Sequence, residues 1–570
     1  ARFKKDVVID LVGYRRWGHN EGDEPAYTQP LMTERIKAHP SIATIYGERL
    51  MEAGIIARAD IDEMEAGIRH RLDEAHDTME RRPSRAMAGG PPVEVVEMDT
   101  SVPRDVLERL NDELLAVPEG FSPHPKLWQQ IERRRLPFTE AGGRLDWGHA
   151  ETLAYATLLA QGTSIRLSGQ DSERGTFAHR HAVLHDVETG RTWTPLMELE
   201  DAKGFFEVRN SPLTENATLG YEYGFAATRP DDLVLWEAQF GDFVNGAQVI
   251  IDQFIMAGRS KWGQESRLVL LLPHGYEGNG PEHSSARLER FLKAAAEDNC
   301  TIAYPTTPAQ MFHLVRTQAL RTERRPLIVM TPKSLLRLKD AASPLEALTD
   351  GGFQSVIDDD DVAEYREDVS RLILCSGKVY WDIQRHAARR QVDDVAVVRI
   401  ERLYPFPTER LRAIVSQYSG LESVVWCQEE PLNMGAWRSI RHRLEMVMPG
   451  MVTTYVGRPW RASPSEGYPP AHQAEQDRII RADVKGALVV QGGPGTGKTA
   501  VALHRAAYLL YTYRFPLEDQ GVLVIGPNRV FLRYIERVLP SLGEAGVEQV
   551  VLADLVPDVL WARYAIDPAD

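Results

Sequence analysis

The sequence has 570 residues, 43% of them hydrophobic, and a formal net charge of −16; it is long enough for several domains and too acidic for a general nucleic-acid coat, although a local basic groove remains compatible with it. Its three cysteines, Cys300, Cys375 and Cys427, lie far apart, which fits buried small side chains in a reducing compartment better than a metal site. No apolar run reaches the roughly 18 residues that cross a bilayer and no signal peptide is visible, so we interpret the protein as cytoplasmic.

The first 135 residues predict one strand followed by helices. The chain starts with Ala1, and residues 7–12 already have the composition of a buried strand, so we expect the sequence to begin inside a longer fold. The stretches "SIATIYGERLMEAGI" and "ADIDEMEAGIRHRLDEAHDTM" place apolar residues three to four positions apart among charges, which is typical of amphipathic surface helices. "RRPSRAMAGGPPVE", rich in Pro and Gly, indicates a loop or linker.

Residues 136–335 predict an α/β domain. Short apolar runs of the kind that parallel sheets bury on both faces alternate with helical stretches; the runs are "TSIRLSG", "DLVLWEAQF", "RLVLLLP", "CTIAYPT" and "PLIVMTP". "LDWGHAETLAYATLLAQG" places Glu151 in the first turn of an otherwise apolar helix. A carboxylate there is costly to bury without hydrogen bonds, so Glu151 either caps a structural element or holds a ligand.

Polar, glycine-rich loops follow several of these strands. In an open parallel sheet ligands bind beyond the carboxyl ends of the strands, so one site can collect these loops. For the loop "SGQDSERGTFAHRHAVLH", a solvated polar loop without a ligand is an equally good explanation. The loops are "SGQDSERGTFAHRHAVLH", with Asp171, Arg174, His179, Arg180, His181 and His185; "WEAQFGDFVNGAQVIIDQF"; and "LLPHGYEGNGPEHSSARLERF", with His274 and His283.

A third α/β unit is predicted over residues 336–480. Its strands are "RLILCSG", "VAVVRIE", "SVVWCQEE" and "TTYVGRP". We interpret "VIDDDDVAEYRED", which precedes them, as an acidic, solvated connector.

The last segment, residues 481–570, predicts a phosphate-binding loop. "GGPGTGKT" follows the strand "ALVV" and precedes a helix, as the motif G-x-x-x-x-G-K-[ST] requires. We expect its backbone N–H groups to face the phosphates, Lys498 to reach the terminal phosphates and Thr499 to be a ligand of Mg²⁺. The nucleotide-binding residues are Gly492, Gly493, Pro494, Gly495, Thr496, Gly497, Lys498 and Thr499.

Seven motifs in order and spacing resemble the thiamine-diphosphate-dependent decarboxylating component of the 2-oxoglutarate dehydrogenase complex. The opening "DVVIDLVGYRRWGHNEGDEPAYTQPLM" resembles the same family, so the resemblance covers residues 1 to about 480. The motifs are "DWGHAETLAYATL", "RLSGQDSERGTFAHRHAVLH", "WEAQFGDFVNGAQVIIDQF", "LLPHGYEGNGPEHSSARLERF", "RIERLYPFP", "CQEEPLNMGAW" and "GRPWRASPSEGY".

The resemblance implies transketolase-like domains that share thiamine diphosphate across a homodimer interface. The domains it implies are the end of a diphosphate-binding domain at 1–80, a helical linker region at 81–135, an aminopyrimidine-binding domain at 136–335 and a C-terminal α/β domain at 336–480. The implied reaction decarboxylates 2-oxoglutarate and passes a succinyl group to the lipoyl domain of the dihydrolipoyl succinyltransferase component.

The resemblance also implies site residues. Glu151 hydrogen-bonds the aminopyrimidine ring and promotes the tautomer that yields the nucleophilic ylid. Phe243 stacks on the pyrimidine, His283 contacts the substrate or an intermediate, and His19 lies in a loop at the active-site entrance. A further active-site loop would contain Arg174, His179 and His181. The family's Mg²⁺ and diphosphate ligands would precede Ala1, so we expect the isolated chain to bind cofactor poorly and not to turn over.

The tail, "QAEQDRIIRADVKGALVVQGGPGTGKTAVALHRAAYLLYTYR" and onward, resembles the first motor segment of superfamily 1 helicase-like ATPases of the UvrD and HelD kind, which act on RNA polymerase. In that resemblance Gln476 reads adenine. The acidic motif that completes Mg²⁺ binding would come later, so we expect a partial P-loop unit that binds ATP and scarcely hydrolyses it.

Three interpretations follow: a dehydrogenase fragment with a foreign end, which the larger matched length favours; an ATP-driven motor with the front as scaffold; or a bifunctional fusion. "AHQAEQDRII" fits the end of the first family and the start of the second. We hypothesise that two incomplete sequences join within it.

Overall fold

The computed structural model describes residues 10, 13–79, 97–386, 389, 392–480, 522–526 and 547–551. The chain divides into two units, Ala1–Ala88 and Gly89–Asp570. The predicted strand at 7–12, apart from residue 10, the Pro- and Gly-rich stretch at 81–94 and the whole P-loop lie outside the described residues.

The first unit is helical where it is described. Ser41 caps the second helix by accepting a hydrogen bond from the Thr44 backbone N–H at 3.1 Å. The two predicted surface helices are confirmed, because both are almost wholly exposed within this unit. Its helices are Pro30–Ala38, Ile42–Glu52 and Arg58–Met79, preceded by a 3₁₀ turn at Pro25–Tyr27.

A seven-stranded sheet forms the core of the second unit. All neighbouring strands are parallel except the first pair, and the five predicted apolar runs supply five of the strands. The edge strand Phe206–Asn210 was not predicted, because its partly exposed, polar sequence lacks a continuous apolar run. In spatial order the strands are Arg402–Tyr404, Thr301–Ala303, Leu327–Thr331, Val269–Pro273, Leu233–Glu237, Ile165–Gly169 and Phe206–Asn210.

Helices cover this sheet, and one of them carries Glu151. Helix Trp147–Gln161 is buried along nearly its whole length because its sequence is apolar all round. Asp146 caps its start through the His149 backbone N–H, and Gly162 ends it with a left-handed φ of 99°. Glu151 is the fifth helical residue, one turn further in than predicted. The other helices around this sheet, which lie on both of its faces, are Arg104–Leu114, Pro125–Glu132, Leu136–Thr139, Glu215–Thr228, Gln248–Ile250, Gly258–Trp262, Leu288–Ala294 and Pro308–Leu320.

A five-stranded sheet follows and contains two of the buried cysteines; four of its strands were predicted, whereas Val356–Ile357 lies in the stretch interpreted as a connector. Cys375 and Cys427 lie opposite each other on neighbouring parallel strands, and with Cys300 they are free thiols. Burial raises the pKa of each of the three thiols. The strands in spatial order are Val356–Ile357, Val395–Ile400, Arg371–Cys375, Ser423–Pro431 and Thr453–Arg458; the helices are Glu346–Thr349, Val379–Arg385, Thr408–Val415, Trp437–Val447 and Pro469–Ile480.

The interpretation of residues 356–368 as a solvated connector is wrong at Asp359. Asp359 is only 2% exposed and accepts hydrogen bonds from Val397 N–H at 2.8 Å and from Arg389 at 3.1 Å. A run of four aspartates cannot reveal that one carboxylate of the run will be paired inside.

Three two-stranded pairings complete the second unit. The predicted strand in "GVLVIG" is present and pairs in parallel with a strand that was not predicted. In the described residues, no helix combines the length and apolar character that a bilayer crossing requires. The pairs are Arg144–Leu145 with Ser343–Pro344, Leu184–His185 with Thr192–Trp193, and Val522–Gly526 with Val547–Val551.

Candidate active site

Four neighbouring strands place polar loops along one edge of the large sheet. Because these strands are parallel, their carboxyl ends, at Gly169, Glu237, Pro273 and Thr331, lie on the same side. The segments that follow carry five of the site residues predicted from the sequence, Arg174, His179, His181, Phe243 and His283. This edge is where an open α/β sheet binds ligands.

Arg180 joins two buried glutamates at this edge. Its Nε donates to Glu151 Oε1 at 2.5 Å, and its Nη1 and Nη2 donate to the two oxygens of Glu237 at 2.8 Å each. Nη1 also donates to the Ser172 carbonyl at 3.0 Å. The three charged side chains are 1%, 2% and 4% exposed for Arg180, Glu151 and Glu237, so water screens their interaction poorly.

Arg180, Glu151 and Glu237 form a buried trio with one positive and two potentially negative charges. With both carboxylates ionised it would hold a net charge of −1 in a dry site, which is costly. Burial raises the pKa of Glu237, although Arg180 opposes that shift. Burial alone would lower the pKa of Arg180, but the two carboxylates outweigh it and raise that pKa. Glu237 therefore takes up a proton more readily than an ordinary glutamate does.

Tyr155 lies one helical turn beyond Glu151. Its hydroxyl is fully buried and finds no hydrogen-bond partner of acceptable geometry among the described residues. Burial, with the charge of Glu151 added, raises the pKa of Tyr155 well above its ordinary value. An unsatisfied buried hydroxyl beside a buried carboxylate is typical of a polar site prepared for a ligand.

Aromatic rings lie together in the segments that follow the strands Leu233–Glu237 and Val269–Pro273. The His283 ring packs edge-on against Phe240, with centroids 4.4 Å apart, and lies 5.9 Å from the ring of Phe243. Phe177, from the loop that also carries Arg180, packs against Phe240 at 5.5 Å. The structure thus brings the predicted residues Phe243 and His283 together.

The predicted loop of Arg174, His179 and His181 has mixed roles. Arg174 is exposed and pairs with Asp171 at 3.1 Å, whereas His179 Nδ1 is buried without a partner among the described residues. His181 has a left-handed φ of 52° and its Nε2 bonds to the Ala178 carbonyl at 3.0 Å. Burial lowers the pKa of both histidines, so both favour the neutral form.

Two further predicted residues belong to other elements of the chain. His19 belongs to the first unit, where it is exposed and its backbone N–H donates to Asp23 at 2.7 Å. Gln476 is buried on helix Pro469–Ile480, and its amide contacts Asp382, Glu429 and Arg458. The roles of His19 at an entrance and of Gln476 in reading adenine stay predictions.

Arg180 and Glu237 were not predicted as site residues. Arg180 stood in the quoted polar cluster between two histidines, and Glu237 ended a quoted strand. The sequence offered only one hint that these two residues belong to the site: each is a charged residue that ends an apolar strand or lies in the loop that follows one. Their pairing with Glu151 depends on the strand order, which spacing along the chain does not reveal.

Buried neutral histidines make this region sensitive to acid. His149, 2% exposed, bonds through Nε2 to Asn111 Oδ1 at 2.8 Å, and burial followed by the charge of Arg134 lowers its pKa well below the ordinary value. The unfolded chain takes a proton near pH 6.5 that the folded chain refuses, so stability falls as pH drops through that value.

We therefore expect His149→Gln to reduce acid destabilisation. Between pH 7 and 5.5 the loss in free energy of unfolding should be smaller by about 1 kcal/mol in the variant than in the parent. Urea unfolding at the two pH values measures this difference. His442→Gln, at an exposed position, is the matched control and should leave the loss unchanged; equal losses in His149→Gln and the parent would contradict a neutral buried His149.

Comparison with known proteins gives three matching family models. Residues 1–88 match "Dehydrogenase E1 component", residues 143–339 match "Transketolase, pyrimidine binding domain" and residues 342–484 match "2-oxoglutarate dehydrogenase C-terminal". The large sheet and the edge with Glu151 lie within the second match, apart from the strand Arg402–Tyr404.

Curated relatives carry the description "2-oxoglutarate dehydrogenase E1 component". One from Geobacillus sp. (strain WCH70) is 51% identical over 490 residues, which covers 84% of this chain and 51% of the relative. One from Exiguobacterium sp. is 49% identical over 510 residues, which covers 87% of this chain and 53% of the relative. One from Bacillus subtilis (strain 168) is 46% identical over 492 residues, which covers 84% of this chain and 52% of the relative. The chain spans about half the length of the curated relatives it matches.

Proposed function

We propose that this chain is part of a 2-oxoglutarate dehydrogenase E1 component, which decarboxylates 2-oxoglutarate and transfers a succinyl group to a lipoyl group. One observation carries the proposal: a glutamate buried on an apolar helix, Glu151, lies at the carboxyl edge of the sheet with its charge held by Arg180. Identity at about half of the aligned residues with curated E1 components, over 490 and 510 residues, supports it.

The side chains at this edge fit the aminopyrimidine half of thiamine diphosphate. A carboxyl group suits a ring nitrogen, an aromatic ring suits stacking, and the Tyr155 hydroxyl is buried without a partner among the described residues. We assign Glu151 to the pyrimidine nitrogen, Phe243 to stacking and His283 to the substrate. The cofactor, when bound, supplies the carbanion chemistry of decarboxylation. Mg²⁺, which prefers oxygen ligands, would accompany the diphosphate, and we assign none of the described residues to that ion.

The chain's own contribution is to hold a proton at Glu151. Arg180 fixes the Glu151 carboxyl through Oε1 and shares its charge with Glu237. In this assignment the proton of Glu151 passes to the pyrimidine nitrogen, and the carboxylate that remains is stabilised by the hydrogen bond from Arg180. The His283 ring packs against Phe240 and Phe243, which holds the imidazole at this edge, where we assign it to the substrate.

We further propose domain boundaries near residues 136, 335 and 480, which the family matches to 143–339 and 342–484 support. The proposed partners are a second copy of the chain in a homodimer, and the lipoyl-bearing succinyltransferase. The P-loop at Gly492–Thr499, with bound ATP and an RNA polymerase partner, remains a prediction from the sequence alone, since those residues lie outside the described parts of the chain.

The activity can be tested in a chimera, hereafter the E1 chimera, in which residues 1–480 replace the matched segment of the Bacillus subtilis relative. We expect carbon dioxide release that depends on 2-oxoglutarate and thiamine diphosphate, with kcat/KM for 2-oxoglutarate exceeding that for pyruvate by at least about tenfold. Release measured with labelled substrates checks this. A folded chimera that releases no carbon dioxide, or that prefers pyruvate, would contradict the proposed function.

A further inference from the structure

Lys333 is a buried lysine that follows the strand Leu327–Thr331. It is 4% exposed, and in the described part of the chain no carboxylate oxygen lies within 4.0 Å of its Nζ. Burial lowers the pKa of Lys333, although the more distant carboxylates of Glu277 and Asp242 oppose that shift. A buried ammonium group without an ion pair needs other acceptors.

Both acceptors that Lys333 uses are carbonyls of the loop formed by residues 275–285, which we call the His283 loop. Nζ donates to the Gly275 carbonyl at 2.8 Å and to the His283 carbonyl at 2.5 Å. The Gly275 N–H donates to the Ser284 carbonyl at 3.0 Å. One ammonium group thus ties together the two ends of the loop at its base.

The strand order explains why this contact forms. The His283 loop follows the strand Val269–Pro273, which pairs in parallel with the strand Leu327–Thr331 that precedes Lys333. Parallel pairing brings the two strand ends together, with Pro273 opposite Thr331. A lysine two residues after one strand can therefore reach the loop that follows its neighbour.

Other contacts hold only parts of the same loop. Asp242 accepts hydrogen bonds from the backbone N–H groups of Ser284 at 3.2 Å and Ser285 at 3.0 Å. The Ser284 hydroxyl donates to the Gly280 carbonyl at 2.7 Å. Glu277 accepts from the Ser334 hydroxyl at 2.7 Å. The Gly275–Ser284 backbone bond and the bond from Ala286 N–H to His274 Nδ1 at 3.0 Å also close the base of the loop, and Lys333 adds the side-chain link from Gly275 to the His283 carbonyl.

The His283 side chain depends on this support. Its ring is half-buried and packs against Phe240 and Phe243. In the described part of the chain, neither ring nitrogen of His283 makes a hydrogen bond with another residue, which leaves both nitrogens open to a ligand. Orientation therefore comes from the two aromatic rings and from the anchored backbone.

We propose that Lys333 is a positioning residue that fixes the His283 loop and thereby aims the His283 imidazole at the substrate. Lys333 acts through the backbone and does not touch the substrate itself. The positional part concerns the chain alone, and the catalytic part rests on the proposed function of His283.

Hydrogen exchange in the full 570-residue chain tests the positional part. In Lys333→Met, amides in peptides covering residues 275–286 should exchange about tenfold or more faster than in the parent, because the loop opens locally. Peptides covering the strand Val269–Pro273 should be unchanged. Lys339→Met, at a nearby exposed position, should match the parent. Parental exchange of the loop in a folded Lys333→Met variant would overturn the proposal.

Kinetics of the E1 chimera test the catalytic part. Lys333→Met should lower kcat about ten- to a hundredfold while KM for 2-oxoglutarate changes less than about threefold, since misplacement of an acting group costs turnover more than binding. In Lys333→Met with His283→Ala the second change should add little, because both act through one imidazole. Full additivity, or an unchanged kcat, would overturn the proposal.

Further outcomes separate the inference from the proposed function. A parent chimera without turnover refutes the proposed function and leaves the exchange result to decide on Lys333. Should Lys333→Met fail to fold, Lys333→Arg is the second variant, because it retains a cation with N–H donors. Amide exchange in the His283 loop of this variant should be within about threefold of the parent. About tenfold faster exchange in the folded variant would count against the role of the N–H hydrogen bonds.

Discussion

Replacing Glu151 with Gln should reduce kcat of the E1 chimera by about a hundredfold or more, which is the usual contribution of a positioned acid or base. The amide keeps the size of the side chain and can still accept from Arg180, so the fold should survive. It cannot hold or release the proton that we assign to Glu151. Steady-state release of carbon dioxide at saturating 2-oxoglutarate measures the effect.

The matched control for this change is Glu222→Gln. Glu222 is also buried, at 1% exposure, and is also held by an arginine, Arg166, at 2.8 Å, but it lies on helix Glu215–Thr228 and has no role in the proposed site. Its variant should keep kcat within about threefold of the parent. Similar losses in the two variants would show that a buried glutamate paired with arginine matters for folding alone.

Replacing Arg180 with Met should produce the largest loss of stability. The change leaves the carboxyls of Glu151 and Glu237 buried without their partner, and removal of one member of a buried ion pair costs about 3–5 kcal/mol. Urea unfolding of the full chain at pH 7 measures the loss. Arg174→Met, which removes an exposed ion pair with Asp171, should cost no more than about 1 kcal/mol.

Two further measurements connect this loss to charge. Adding Glu237→Gln to Arg180→Met should recover part of the stability, because one of the unpaired charges disappears. Burial already raises the pKa of Glu237 and Arg180 opposes that shift, so without Arg180 the folded-state pKa of Glu237 should rise further above its unfolded value, and stability present at low pH is lost as pH rises through the folded value. A variant that is equally stable at pH 5 and pH 8 would count against this electrostatic account.

The strands that build the site could be predicted from the sequence, because apolar runs such as those at Val269–Pro273 and Leu327–Thr331 are long and bounded by polar loops. Glu151 stood out as a charge in an apolar helix, and the resemblance to a known family gave it a role. Its helix position was off by one turn, since the cap at Asp146 fixes the start earlier than expected.

The partners of these residues could not be predicted. Arg180 meets Glu151 and Glu237, and Lys333 meets Gly275, only because the spatial order of strands brings distant loops to one edge. Periodicity reports which face of an element is buried, whereas pairing between loops depends on topology. The same limit applied to Asp359, whose buried partners come from another strand and from Arg389.

The central claim is that Glu151, held at the carboxyl edge by Arg180, activates thiamine diphosphate. The most direct measurement is the rate at which deuterium replaces the thiazolium C2 hydrogen in the E1 chimera, followed by acid quench and NMR before any substrate is added. We expect fast exchange in the parent and in Glu222→Gln, and exchange slower by about a hundredfold or more in Glu151→Gln. Parental exchange in a folded, cofactor-loaded Glu151→Gln chimera would contradict the claim.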